Sequence, residues 1–114
     1  VRYDMSIRRV QYNNGPAALD IINFVPGNYF SMRVTLNHDI TGSTFESEIL
    51  DAFDVVISAF SISGVVPLTS GVFNLYMLEA DTALVASDST WYLDEIREGK
   101  RNTLMAGNVE VYTK

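Results

Sequence analysis

The sequence predicts an all-β chain: a sandwich of two antiparallel sheets with seven to eight short strands and at most one short helical turn. Three observations carry that expectation. Apolar and polar residues alternate at period two in segment after segment, the spacing of a strand with one buried face. Clusters of Asn, Asp, Ser, Gly and Pro recur between those segments, and a single stretch reads as helical. Short amphipathic strands bury their apolar faces by packing one sheet on another, with a small barrel as the competing closure.

The segment 28–49 states the pattern most fully. Phe30, Met32, Val34 and Leu36 alternate with Ser31, Arg33 and Thr35. Asn37, His38, Asp39, Thr41 and Gly42 then turn the chain, and Phe45, Ser47 and Ile49 resume the alternation against Glu46 and Glu48. Ahead of this pair, residues 1–11 alternate Tyr3, Met5 and Ile7 in the manner of an edge strand and read equally well as an arm. Asn13-Asn14-Gly15-Pro16 is a strong breaker, because Asn-Gly adopts positive φ readily and proline biases the residue before it away from helix. Residues 17–24 read as a strand, buried on both faces or pairing at an edge, with a short helix as the other option.

Beyond the central pair, residues 50–54 read as a loop or helical turn. Residues 55–62, rich in β-branched and aromatic side chains, read as one strand with two buried faces. Pro67 makes the piece around it an edge or a connector. Residues 72–78 place Phe73, Leu75 and Met77 on one side, and residues 79–85 favour one turn of helix that must lean on the sheets to persist. Trp91 and Leu93 share a face, and Glu98-Gly99-Lys100 make a hairpin turn before a last strand over 103–112. Gly107 lies inside that strand, where a missing side chain marks a bulge or a close backbone approach.

One domain over 1–114 is expected, with residues 1–16 as a candidate arm outside the core. A chain of 114 residues buries roughly two-thirds of its unfolded surface. The net charge of −6 and pI near 4.5 argue against nucleic acid as a partner, since phosphate contacts need a basic stripe. No apolar run approaches the ~20 residues of a membrane span, and the first residues lack the apolar core of a signal peptide. The absence of cysteine excludes disulfides, thiolate nucleophiles and Cys-type metal sites. Arg2, Arg8 and Arg9, and Arg97, Lys100 and Arg101, are the basic groupings, read as solvated or as contacts for acidic protein surfaces.

Few residues suggest chemistry. His38 is the single histidine and reads as a polar turn residue, and no serine stands in a nucleophile-elbow context. Asp51 with Asp54, and Asp94 with Glu95 and Glu98, could act as acid and base or hold calcium. Neither run has the spacing of a calcium loop, and both read as solvated charge. No enzyme activity, cofactor or metal is therefore expected. Trp91, Tyr92, Tyr76 and Tyr29 could form a sugar platform; Trp91 reads as core beside Leu93, and Tyr92 as the better surface candidate.

Gly27, Phe30, Val34-Thr35-Leu36, Asp39-Ile40-Thr41-Gly42 and Phe45 form the first half of a wider pattern. Residues 80–84, Trp91 and Leu93, Gly99, and Leu104-Met105-Ala106-Gly107-Asn108-Val109-Glu110-Val111 form the second. Together they resemble a recurrent small module of tailed-phage virion proteins, the type found as the amino-terminal domain of upper baseplate proteins. Residues 12–24 depart from it by inserting sequence before the Gly-x-x-Phe strand. The resemblance implies an immunoglobulin-like sandwich that acts without catalysis in the phage particle, assembled in the host cytoplasm and bound to copies of itself and neighbouring virion proteins. Arg2, Tyr3, Arg8, Arg9 and Tyr92 are the candidate contacts. The alternative is a carbohydrate-binding sandwich directed at a host-surface glycan.

Overall fold

Where the alternation is strict, the computed structural model buries the apolar set and leaves the other half-buried or exposed. It describes residues 2–7, 17–64 and 67–112, the first six as backbone only. Among these, the strands are β1 (Arg2–Ile7), β2 (Ala17–Ala18), β3 (Ile21–Phe24), β4 (Phe30–Leu36), β5 (Thr44–Leu50), β6 (Val56–Ala59), β7 (Ser61–Gly64), β8 (Val72–Met77), β9 (Ser89–Arg97) and β10 (Lys100–Val111). One α-helical turn, α1 (Glu79–Thr82), and one 3-10 turn, Leu68–Ser70, complete the regular structure.

The chain is an all-β sandwich of two sheets. One sheet has the order β1-β4-β8-β7; the other has the order β2-β10-β9-β5-β6, with β3 continuing along the same edge of β10. Reading β4, β8 and β7 as strands B, E and D, and β10, β9, β5 and β6 as G, F, C and C′, gives the immunoglobulin-like order. Pairing is antiparallel except at the amino-terminal strands: β1 runs parallel to β4, and β2 and β3 run parallel to β10.

Ten strands stand among the described residues because two segments that read as single strands are each divided. Residues 55–62 keep one alternating phase while changing sheets at Phe60, so that β6 pairs with β5 and β7 with β8. Phe60 donates its N–H to the Ser47 carbonyl (2.9 Å), and its buried ring meets Phe30 (5.8 Å) and, edge-on, Trp91 (6.1 Å). A change of sheet preserves the inward direction of every second residue, so the sequence pattern does not register it. Residues 17–24 are divided at Leu19-Asp20, where the Asp20 carboxylate accepts from Asn108 N–H (2.9 Å).

The core lies between the sheets. Met32, Val34, Phe73 and Leu75 from one side meet Ile49, Trp91, Leu93 and Met105 from the other, all fully buried. Each such side chain contributes about 1.5–3 kcal/mol relative to exposure. The β9–β10 hairpin closes through Glu98 (φ 52°) and Gly99 (φ 76°), and Arg97 pairs with Lys100 across it. Two positive φ values in a two-residue loop give the turn whose twist matches that of the flanking strands, which is why the sequence places glycine there.

The helical turn is fastened by Thr82, whose side chain is fully buried. Its hydroxyl donates to the Asn28 carbonyl (2.8 Å) and accepts from Gly27 N–H (3.0 Å), tying α1 to the turn before β4. Thr82→Val keeps the volume and removes both bonds, so it is expected to destabilise the fold by about 1–3 kcal/mol, the net worth of two hydrogen bonds made by a buried hydroxyl. Urea denaturation measures this; a midpoint equal to that of the parent would show the bonds to be dispensable. No helix among the described residues is long and apolar enough to cross a membrane.

Candidate functional site

The outer face of the β5-β9-β10 sheet gathers the densest polar group. Alternation turns Glu46 and Glu48 on β5 away from the core, and Tyr92, Asp94, Arg101 and Thr103 join them across the ladder. Thr103 Oγ1 donates to Asp94 Oδ1 (2.7 Å), and Arg101 Nη1 donates to Asp94 Oδ2 (2.7 Å) and Glu46 Oε1 (2.7 Å). The hydrogen bonds from Arg101 to Asp94 and then Glu46 hold its guanidinium above the usual range. The Tyr92 hydroxyl donates to Glu48, with Glu46 Oε1 at 3.2 Å.

Burial, followed by the hydrogen bond and charge of Glu48 and the charge of Glu46, pushes the Tyr92 phenol up. Its folded-state pKa therefore exceeds the unfolded value of about 10. Above that value the unfolded chain releases a proton that the folded chain still holds, so stability falls as pH rises. The contribution is fully present below about pH 10 and is lost as pH climbs toward the folded-state pKa. Tyr92→Phe should flatten the alkaline decline in Tm. Identical slopes for parent and variant above that pH would refute the assignment.

Asp94 and Glu95, read from the sequence as solvated charge, are 5% and 6% exposed. Successive residues on a strand face opposite sides, so the two carboxylates enter different surroundings. Asp94 joins the outer network. Glu95 faces the end of the sandwich, where Ser43 Oγ donates to Oε2 (2.6 Å) and His38 Nε2 lies 3.2 Å from both oxygens. His38, read from the sequence as a polar turn residue, is half-buried in that turn and partnered across 57 residues of sequence.

The turn that carries His38 is fixed at several points. Ile40 is buried, and its N–H donates to the Leu68 carbonyl (3.2 Å). Arg97 donates to the carbonyls of Asp39 (3.0 Å) and Thr41 (3.2 Å). Hydrogen bonds from the Thr41 side chain and backbone hold the exposed Asp39 carboxyl below its ordinary range. A hydrolytic triad needs the serine hydroxyl on histidine and the acid beyond it. Here Ser43 and His38 both bond the same carboxylate, an arrangement that anchors the 37–43 turn to β9 and supplies no serine-to-histidine proton path.

The remaining candidates are dispersed. Asp51 Oδ1 accepts from the N–H groups of Phe53 (2.8 Å) and Val55 (3.0 Å), and Asp54 takes φ 62°, so this pair shapes a turn with Phe53 at its tip, 85% exposed. Trp91 is 1% exposed and donates from Nε1 to the Leu19 carbonyl (2.8 Å), which makes it a core residue, as its place beside Leu93 implies. Tyr92 is half-buried with its hydroxyl engaged, whereas Tyr29 is 48% exposed and stacks on Tyr76 (6.4 Å, 30°). Arg2 and Tyr3 belong to β1, in register with Ser31 and Met32; Arg8 and Arg9 lie outside the described residues.

Among the described residues no group of three or more His, Asp or Glu side chains is placed to hold a metal ion. The burial of Asp94 and Glu95 had a weak sequence signal, two adjacent acids inside an otherwise apolar-alternating strand. His38 as a partner of Glu95 had none. No protein-family model matches the chain, and no curated protein matches it.

Proposed function

We propose that this chain is a non-enzymatic structural and assembly module of a tailed-phage virion, in the tail or baseplate region, which binds copies of itself and neighbouring virion proteins. The observation that carries this reading is β1: the amino-terminal segment extends the β4-β8-β7 sheet by edge addition, the mode by which sheets grip other extended chains. The resemblance of residues 27–49 and 72–111 to a virion module supports it. So does the use of the ionisable side chains: Asp94, Glu95, His38 and Arg101 bond one another or the backbone within the fold. The acidic balance disfavours nucleic acid and anionic membrane surfaces.

Deleting residues 1–12 is expected to leave a folded sandwich, seen by circular dichroism and a cooperative melt, that no longer enters particles. Incorporation at the parental level would refute the reading. The Tyr29–Tyr76 stack favours a second function, attachment to a host-surface glycan, because an exposed aromatic face suits a sugar ring. A glycan array with no ligand, or a ligand whose binding survives Tyr29→Ala, removes it.

A further inference from the structure

β4 is an interior strand of its sheet only because β1 lies against it. Phe30, Met32, Val34 and Leu36, its alternate residues, are all buried, and the open edge of such a strand pairs with any extended segment in phase with it. The chain supplies that segment: in Arg2–Ile7, the apolar Tyr3, Met5 and Ile7 stand in register with Met32, Val34 and Leu36. We propose that the β4 edge is the acceptor for the amino-terminal strand of a second copy of this chain, so that neighbouring copies are joined by exchanging Arg2–Ile7. The proposal rests on the assembly reading above and names its partner and the surface used.

Three features favour exchange. First, β1 and β4 are parallel, so no tight hairpin binds them; the chain visits the opposite sheet as β2 and β3 before returning as β4. Second, nine residues, 8–16, separate Ile7 from Ala17, where two to five make a hairpin connection. Nine residues span at most roughly 33 Å when fully extended, comparable with the 39 × 29 × 22 Å body. Third, exchange retains every register pair between β1 and β4. Docking within one copy or between two then differs chiefly in the entropy of the link, which changes slowly with its length. Crowding of copies in an assembly raises their effective concentration and shifts the balance toward exchange.

The chain has no cysteine, so introduced ones report without interference. Asp4 and Arg33 are register partners, at a separation of about 4.8 Å between neighbouring strands that suits a disulfide. Full-length Asp4→Cys and Arg33→Cys chains carrying different tags are mixed and oxidised. The expected result is a covalent heterodimer, roughly tenfold above a control in which Ser61→Cys, on the far edge of the same sheet, replaces Arg33→Cys. A chain carrying both Asp4→Cys and Arg33→Cys should give linked multimers that rise with protein concentration.

Closure of that double variant only on itself, with the mixture at control level, overturns the exchange. Failure of every disulfide overturns it as well, because β1 then does not lie on β4. Particle incorporation is read separately. A double variant locked within one copy that still enters particles sinks strand exchange and leaves the assembly reading standing. A parental chain that never enters particles sinks the assembly reading, whatever the disulfides report.

Discussion

Replacing Trp91 by alanine is expected to destabilise the protein by about 3–5 kcal/mol, the range for removing a buried aromatic, and to lower Tm by on the order of 10–20 °C. Three losses coincide. The indole is the largest fully buried side chain, so a void opens between the sheets. Its edge contact with Phe60 vanishes at the point where the chain changes sheets. The Leu19 carbonyl, which accepts from Nε1 at 2.8 Å, loses its partner. Trp91→Phe restores most of the volume and none of the hydrogen bond, so its smaller cost isolates the last loss. Denaturation of the two variants measures both quantities, and a Trp91→Ala midpoint near that of the parent would mean that the indole is not where the core is built.

The second large effect is expected at Gly107, the register partner of Trp91. A Cβ at this position would run into the Leu19 carbonyl and crowd the Asp20 carboxylate, because the Leu19-Asp20 kink passes directly over the glycine. Gly107→Val should therefore push β2 and β3 off β10, break the Asn108–Asp20 hydrogen bond, and cost about 3 kcal/mol, at the upper end for forced overpacking. Gly107→Ala should cost nearly as much, since the overlap begins at Cβ. Hydrogen exchange should show faster exchange at Leu19 and Asn108 while Glu48 and Tyr92, on the β5–β9 ladder, stay protected. Unchanged exchange at Asn108 in a stable variant would contradict the close approach. Because Trp91→Ala and Gly107→Val act through one carbonyl, that of Leu19, the variant carrying both should cost less than the sum of its parts.

What the sequence made legible was each strand's facing, together with the positions where a special backbone was needed. Phe30 to Leu36, Phe73 to Met77 and the Trp91–Leu93 pair all carry their burial in a local period. Gly107 and Glu98-Gly99 announce a close approach and a tight turn by chemistry alone. Which strand lies beside which is a different kind of information. The change of sheet at Phe60 leaves the period intact, and the parallel course of β1 depends on where β4 ends up. The same reason explains the misread carboxylates. Whether Asp94 and Glu95 are solvated is decided by Arg101 and Thr103 on β10 and by Ser43 and His38 in the 37–43 turn, two other segments of the chain. A side chain's local pattern names its face and does not name its neighbours.

The parallel seam of β2 and β3 against β10 also governs how the protein answers mechanical force. Residues 17–24 run in the same direction as residues 105–111, so a pull on residue 17 against residue 111 acts along the strands. The bonds of that seam are then strained together in shear, where a hairpin pulled at its open end would peel one bond at a time. Stretching must break the whole seam, with the Leu19 carbonyl's hold on Trp91 included, before either sheet can unravel. A pull along that line therefore meets more resistance than one applied across the strands.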